Sequence, residues 1–76
     1  MTKTDEYAAR AKIIVAGLAV IVVGDDDDGR FLVVNLHSPH YRALFTKQGL
    51  LISTNMSQKT AERATKMLCR NLKYLV

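Results

Sequence analysis

The longest regular alternation of apolar and polar positions in the chain runs from Asn55 to Val76. At about 100° per residue, Ala61, Ala64, Leu68, Leu72 and Leu75 fall on one side of a helix. Lys59, Arg63, Lys66, Arg70 and Lys73 follow at spacings of four, three, four and three, so they form one ridge on the opposite side. A helix of about 20 residues is roughly 30 Å long, which makes the ridge a rail of cations backed by an apolar stripe. Met67 and Tyr74 flank the rail, where they could add packing or stacking contacts. Ser57 is placed to cap the first free N–H groups, and Asn55 with Gln58 has the spacing of a capping box one turn earlier.

Upstream, the pattern changes period. Residues 1–12 read as a short helix: Thr4 can cap it, Asp5 and Glu6 suit a helix N-terminus, and Tyr7, Ala8 and Ala11 share a face. Residues 13–23, IIVAGLAVIVV, are apolar without a break. A membrane span needs about 20 such residues, and Lys12 and Arg10 stop the run on its upstream side. A signal peptide would end in a small-x-small cleavage site, whereas GDDDD follows here. Density in Val and Ile, closed by a turn signal, favours a strand buried on both faces. Gly17 in its middle marks a bulge, or a break between two strand segments.

The glycine-bracketed turn GDDDDG leads into a second strand, Arg30 to His37, giving a hairpin with an acidic tip. Leu32, Val34 and Leu36 are expected to face the core, and Phe31, Val33, Asn35 and His37 the other way. Ser38-Pro39 ends that strand, since proline has no N–H for a ladder. Tyr41 to Thr46 and Leu50 to Thr54 read as short strands around a Lys47-Gln48-Gly49 turn. The expected fold is α+β: a small antiparallel sheet of three or four strands, a short N-terminal helix, and the long amphipathic C-terminal helix across one face. The other face keeps an apolar surplus in 13–23, Phe31 and Val33, which a homodimer or a partner protein would cover.

Composition narrows the class. A chain of 76 residues is one domain with a small core, and 49% hydrophobic with 24% charged residues makes it globular. A single cysteine, Cys69, excludes an internal disulfide and points to a cytoplasmic setting. The net charge of +4 is unevenly distributed. Before Ser57, six cations balance six acids; from Ser57 onward, five cations face one acid, Glu62. The basic character of the protein is that of one helix, and a single-sign face attracts polyanions or an acidic protein surface.

Three groups of residues could carry chemistry. The rail, Lys59, Arg63, Lys66, Arg70 and Lys73, is uninterrupted by acids, whereas ordinary surface helices mix signs to gain i,i+4 pairs. Its spacing also suits successive phosphates of a nucleic acid, although the clustered aromatics of single-strand binders are missing. The acidic tip, Asp25, Asp26, Asp27 and Asp28, reads as a solvated turn first and a hook for a basic partner second. It fails as a calcium loop: counted from Asp25, the sixth position is Arg30 and the twelfth Leu36, where Gly and Glu are required. His37 and His40 could share a metal, yet zinc sites want three or four protein ligands. Cys69 with either histidine could make a nucleophile–base pair, but no nucleophile motif surrounds it. No cofactor, metal or enzymatic activity is expected.

The opening Ser57-x-Lys59-x-Ala61 of a helix that follows antiparallel strands resembles the second helix of double-stranded-RNA-binding domains, whose lysines contact phosphates across the major groove. Gln58 and Glu62 stand where that family usually carries lysines, and the loop that there enters the minor groove is here Asp25 to Asp28, which would repel phosphates. The chain is therefore not assigned to that family. Its expected function is a non-enzymatic protein-binding module, of the kind of a small phage or mobile-element inhibitor, that presents the rail and the acidic tip to a larger partner. A nucleic-acid-binding protein using the rail alone is the alternative.

Overall fold

The computed structural model describes residues 2–24 and 29–75. The chain runs α1 (Lys3–Arg10), β1 (Ile13–Val15), β2 (Leu18–Val23), β3 (Arg30–Asn35), β4 (Arg42–Thr46), β5 (Leu51–Thr54) and α2 (Gln58–Leu75). All five strands join one sheet in sequence order, each antiparallel to the next. The α+β class stands, with five strands in place of three or four.

The extra strand comes from the apolar run. Ala16 and Gly17 both take positive φ, 52° and 79°, and fold residues 13–23 back on themselves so that Val15 faces Leu18. Gly17 thus marks a break between two segments. The expectation of burial on both faces holds for the first four residues of β2, Leu18 to Ile21, but not for Val22 at its end nor for β1, where Ile14 and Val15 are exposed. An edge strand of three residues has a neighbour on one side only.

Alternation along the strands sorts side chains onto two faces. One face carries Val20, Val33 and Ala43 in one register row and Phe31 with Phe45 in another, and α2 packs on it through Ala61, Ala64, Met67 and Leu68. The opposite face carries the row Ala19, Val34 and Arg42, with Ile21 beside Leu32 and Leu44. There α1 packs against β2, the Thr4 hydroxyl donates to the Leu36 carbonyl at 3.3 Å, and Arg42 reaches the Tyr7 hydroxyl at 3.4 Å. Burial of Ala19, Ile21 and Val34 makes the molecule three-layered, helix on sheet on helix.

This reverses the face expected of β3. Phe31 and Val33 lie beneath α2, while Leu32 and Val34 look toward α1's side and Leu36 has left the strand, its N–H bonded to the Gly17 carbonyl. A period of two separates two sets of residues without saying which set meets the helix. The packing on the α2 side is consistent in volume. The α2 stripe carries two alanines, so the helix sits close and the Phe31–Phe45 pair fills the space around it. The covered face also removes Phe31 and Val33 as a dimer surface; of 13–23, only Ile14, Val15 and Val22 remain as exposed large apolar residues.

Both helices are capped, though not entirely as read. Ser57 caps α2, its hydroxyl accepting from the Thr60 N–H at 3.3 Å and its carbonyl from the Ala61 N–H at 2.8 Å. Asn55 forms no pair with Gln58. Its side chain instead accepts from the Arg42 N–H at 2.8 Å and donates to the His40 carbonyl at 2.6 Å, tying the approach to α2 to the start of β4. Thr2, not Thr4, caps α1, because Asp5 three residues on completes a reciprocal capping box.

Candidate partner-binding site

Helix α2 is built for its two faces. Residues 58–75 contain neither glycine nor proline and are mostly strong helix formers. The polar Thr65, on the flank, satisfies its hydroxyl on the Ala61 carbonyl at 2.9 Å. Leu68 is fully buried, which alone stabilises the docked helix by about 1.5–3 kcal/mol. With the Ala/Leu side fixed to the sheet, Lys59, Arg63, Lys66, Arg70 and Lys73 fall within an arc of about 80° on the solvent side. All five are exposed. Among the described residues, Lys59, Arg63, Lys66 and Arg70 make no side-chain hydrogen bond or ion pair. The only acid of the helix, Glu62, lies off the arc and accepts from Gln58 at 3.5 Å. Lys73 sets its ammonium 5.1 Å from the centre of the Tyr74 ring, a cation–π contact at an exposed ring.

The rail is not a flat stripe along its whole length. Arg63, Lys66 and Arg70 form one wall of a groove of about 330 Å³ whose other side is the β1–β2 turn, with Val15, Ala16 and Leu18. Met67 and Asn71 complete the lining. Met67, expected as an exposed flank of the rail, is 8% exposed and belongs to the core, so it contributes apolar floor rather than a free side chain. The Asn71 amide donates to the Met67 carbonyl at 2.8 Å, which leaves its own carbonyl oxygen as an acceptor on the groove side of the helix. Lys59 and Lys73 sit beyond the groove at its two ends. The structure thus brings three of the five rail cations together over an apolar surface.

The groove-forming turn was hidden in the sequence. Alanine at φ 52° is in the left-handed region, which an L-residue other than Asn or Asp seldom occupies, and Gly17 was the one local sign of it. The ring of His37 lies over that turn: a β-carbon on Gly17 would approach the His37 Nε2 to 3.0 Å. Glycine is favoured there by φ, and a larger residue would also have to displace the exposed His37 ring by a few tenths of an ångström. Sequence reasoning had no signal for Val15, Ala16 or Leu18 as neighbours of Arg63 and Arg70, since they are about fifty residues apart along the chain.

The other sequence candidates do not converge on a site. Asp25, Asp26, Asp27 and Asp28 lie outside the described residues. His37 and His40 are exposed around the β3–β4 connection. Cys69 is exposed on α2 on the side of Gly49, 3.5 Å from where a β-carbon on that glycine would stand. Among the described residues there is no cluster of three or more potential metal ligands, and no helix is long and apolar enough to cross a membrane.

A family model matches residues 1–75. The chain belongs to DUF7723. That family is described as one of unknown function, so membership fixes kinship across nearly the whole chain and leaves activity to be argued from the site. No curated protein and no solved structure matches the chain.

Proposed function

We propose that this DUF7723 protein is a non-enzymatic binding module whose α2 groove takes an acidic segment of a partner protein. The observation that carries the reading is the union of three cations, unpaired among the described residues, with an apolar floor. Arg63, Lys66 and Arg70 stand over Val15, Leu18 and Met67, which suits a ligand with carboxylates around an apolar side chain. A phosphate backbone would use the cations and leave that floor idle.

The test uses tagged wild-type protein and the Arg63→Glu, Lys66→Glu, Arg70→Glu triple variant as baits in a lysate of its source, with and without nuclease treatment. Reversing exposed charges on the face away from the Ala/Leu stripe should leave the fold intact, each substitution within about 0.5 kcal/mol of wild type. A protein retained by wild type and lost by the variant, with affinity down on the order of a hundredfold and less sensitive to salt, is the expected result. Capture that disappears on nuclease treatment would assign the rail to nucleic acid instead. A partner held equally well by both baits would reduce the cations to a solvated face.

A further inference from the structure

The sheet has two free edges, and they differ in a way that selects a partner. At one edge, β1 is three residues long and continues into the turn that walls the groove, beside Arg63, Lys66 and Arg70. A second copy approaching there would bring cations against cations. At the other edge, β5 runs Leu51-Ile52-Ser53-Thr54 and is exposed at every residue. It carries no charge and no proline, two of the devices by which sheet edges are usually kept from pairing, and retains two others only in weak form, a length of four residues and a register irregularity opposite Leu44 and Phe45. Leu50, Leu51 and Ile52 are 67%, 45% and 46% exposed, large values for three consecutive apolar side chains. The helix surface nearest this edge, around Gly49, is formed by Cys69 and Leu72 rather than by the rail.

We propose that a second copy of this chain pairs with β5 edge to edge, antiparallel about a two-fold axis, to make one continuous ten-stranded sheet. Two-fold pairing sets each strand against itself, so a charged residue near the axis would meet its own like charge. An uncharged strand such as Leu51–Thr54 is the sequence that tolerates this arrangement. Four residues of ladder bury little by themselves against the roughly 1,600 Å² of a standard interface. The adjoining surface extends the contact: a depression of about 420 Å³ lies beside β5 on the side of α1, lined by Leu32, Leu44, Ser53, Thr54 and Asn55 with one cation, Arg42, at its far side from the strand edge, on β4. The arrangement leaves both rails outward and both grooves open, so this inference is independent of what the groove binds.

Sedimentation velocity over a concentration series tests it, with hydrogen exchange as a second measurement. Wild-type protein should dimerise. The Leu51→Lys, Ile52→Lys variant should raise the dimer dissociation constant by at least about tenfold, since symmetry places each new lysine opposite its copy. Amide protection of residues 51–54 in wild type should rise with protein concentration while that of β1 stays unchanged. The Arg63→Glu, Lys66→Glu, Arg70→Glu variant should dimerise like wild type. A monomer at high micromolar concentration overturns the proposal, as does undiminished dimerisation of the lysine variant or a dimer lost on reversing the rail. Should the lysine variant fail to fold, concentration-independent exchange of 51–54 in wild type overturns it alone.

Discussion

Replacing Ala16 by asparagine should make the protein more stable, although Ala16 is exposed and the change adds no core contact. The turn between β1 and β2 has two residues, both at positive φ, the geometry a type I′ hairpin demands. An L-alanine held there forgoes about 1–2 kcal/mol relative to its right-handed conformation. Asparagine tolerates the left-handed region better and recovers part of this, about 0.5–1 kcal/mol. Glycine would remove the strain altogether but gives back about 0.4–1 kcal/mol through a looser unfolded chain, so Ala16→Gly should fall between neutral and mildly stabilising. Valine, stiff and branched, should cost about 1 kcal/mol or more. For a domain of this size, the asparagine gain corresponds to about 2–8 °C in Tm. Urea titration followed by circular dichroism reads the same quantity, provided the slope with denaturant stays constant across the four proteins. An asparagine variant equal to or below wild type, with unchanged slope, would refute the reasoning: Ala16 would then not hold the left-handed conformation on which the hairpin and the groove lip depend.

Two further outcomes follow from packing. Leu68→Ala, at a fully buried position between α2 and the sheet, should cost about 2–5 kcal/mol in urea denaturation, out of a total of about 4–11 kcal/mol for a domain of this length. Asn55→Ala removes two hydrogen bonds that tie β4 to the approach of α2, and thermal unfolding should register a loss of about 1–2 kcal/mol, whereas Gln58→Ala, which has no capping partner in Asn55, should stay within about 0.5 kcal/mol.

What could be read from the residues alone was whatever has a local cause. Helix α2 was legible because a period near 3.6 and a serine cap act within a few residues, and the β4–β5 hairpin because Gly49, at φ 87°, marks its turn. The β1–β2 hairpin was only half legible, since Ala16 is no turn former and the apolar run on either side of it reads as one strand. The face of β3 was misread, because nothing within Arg30 to His37 reports that Ala61 and Ala64 will draw Phe31 and Val33 toward them. The rail was legible as five charges on one arc. Its groove was not: Met67 looks like a flank until the β1–β2 turn is placed beside it, and Leu18 and Arg63 come to line one groove only in three dimensions.

The strict meander has a consequence for how the protein comes into being. Each strand pairs with its predecessor in the chain, so the sheet can zip from one end with short loop closures, and topology of this kind folds quickly. Helix α2, however, follows every strand it covers. The residues that bear Phe31, Val33 and Phe45 precede the end of α2 by about thirty positions, so a chain emerging from its N-terminus presents its strands to folding before the helix that covers them. For that interval the nascent sheet offers water an aromatic face that the finished protein never shows. Its safe passage depends on how soon a single helix arrives.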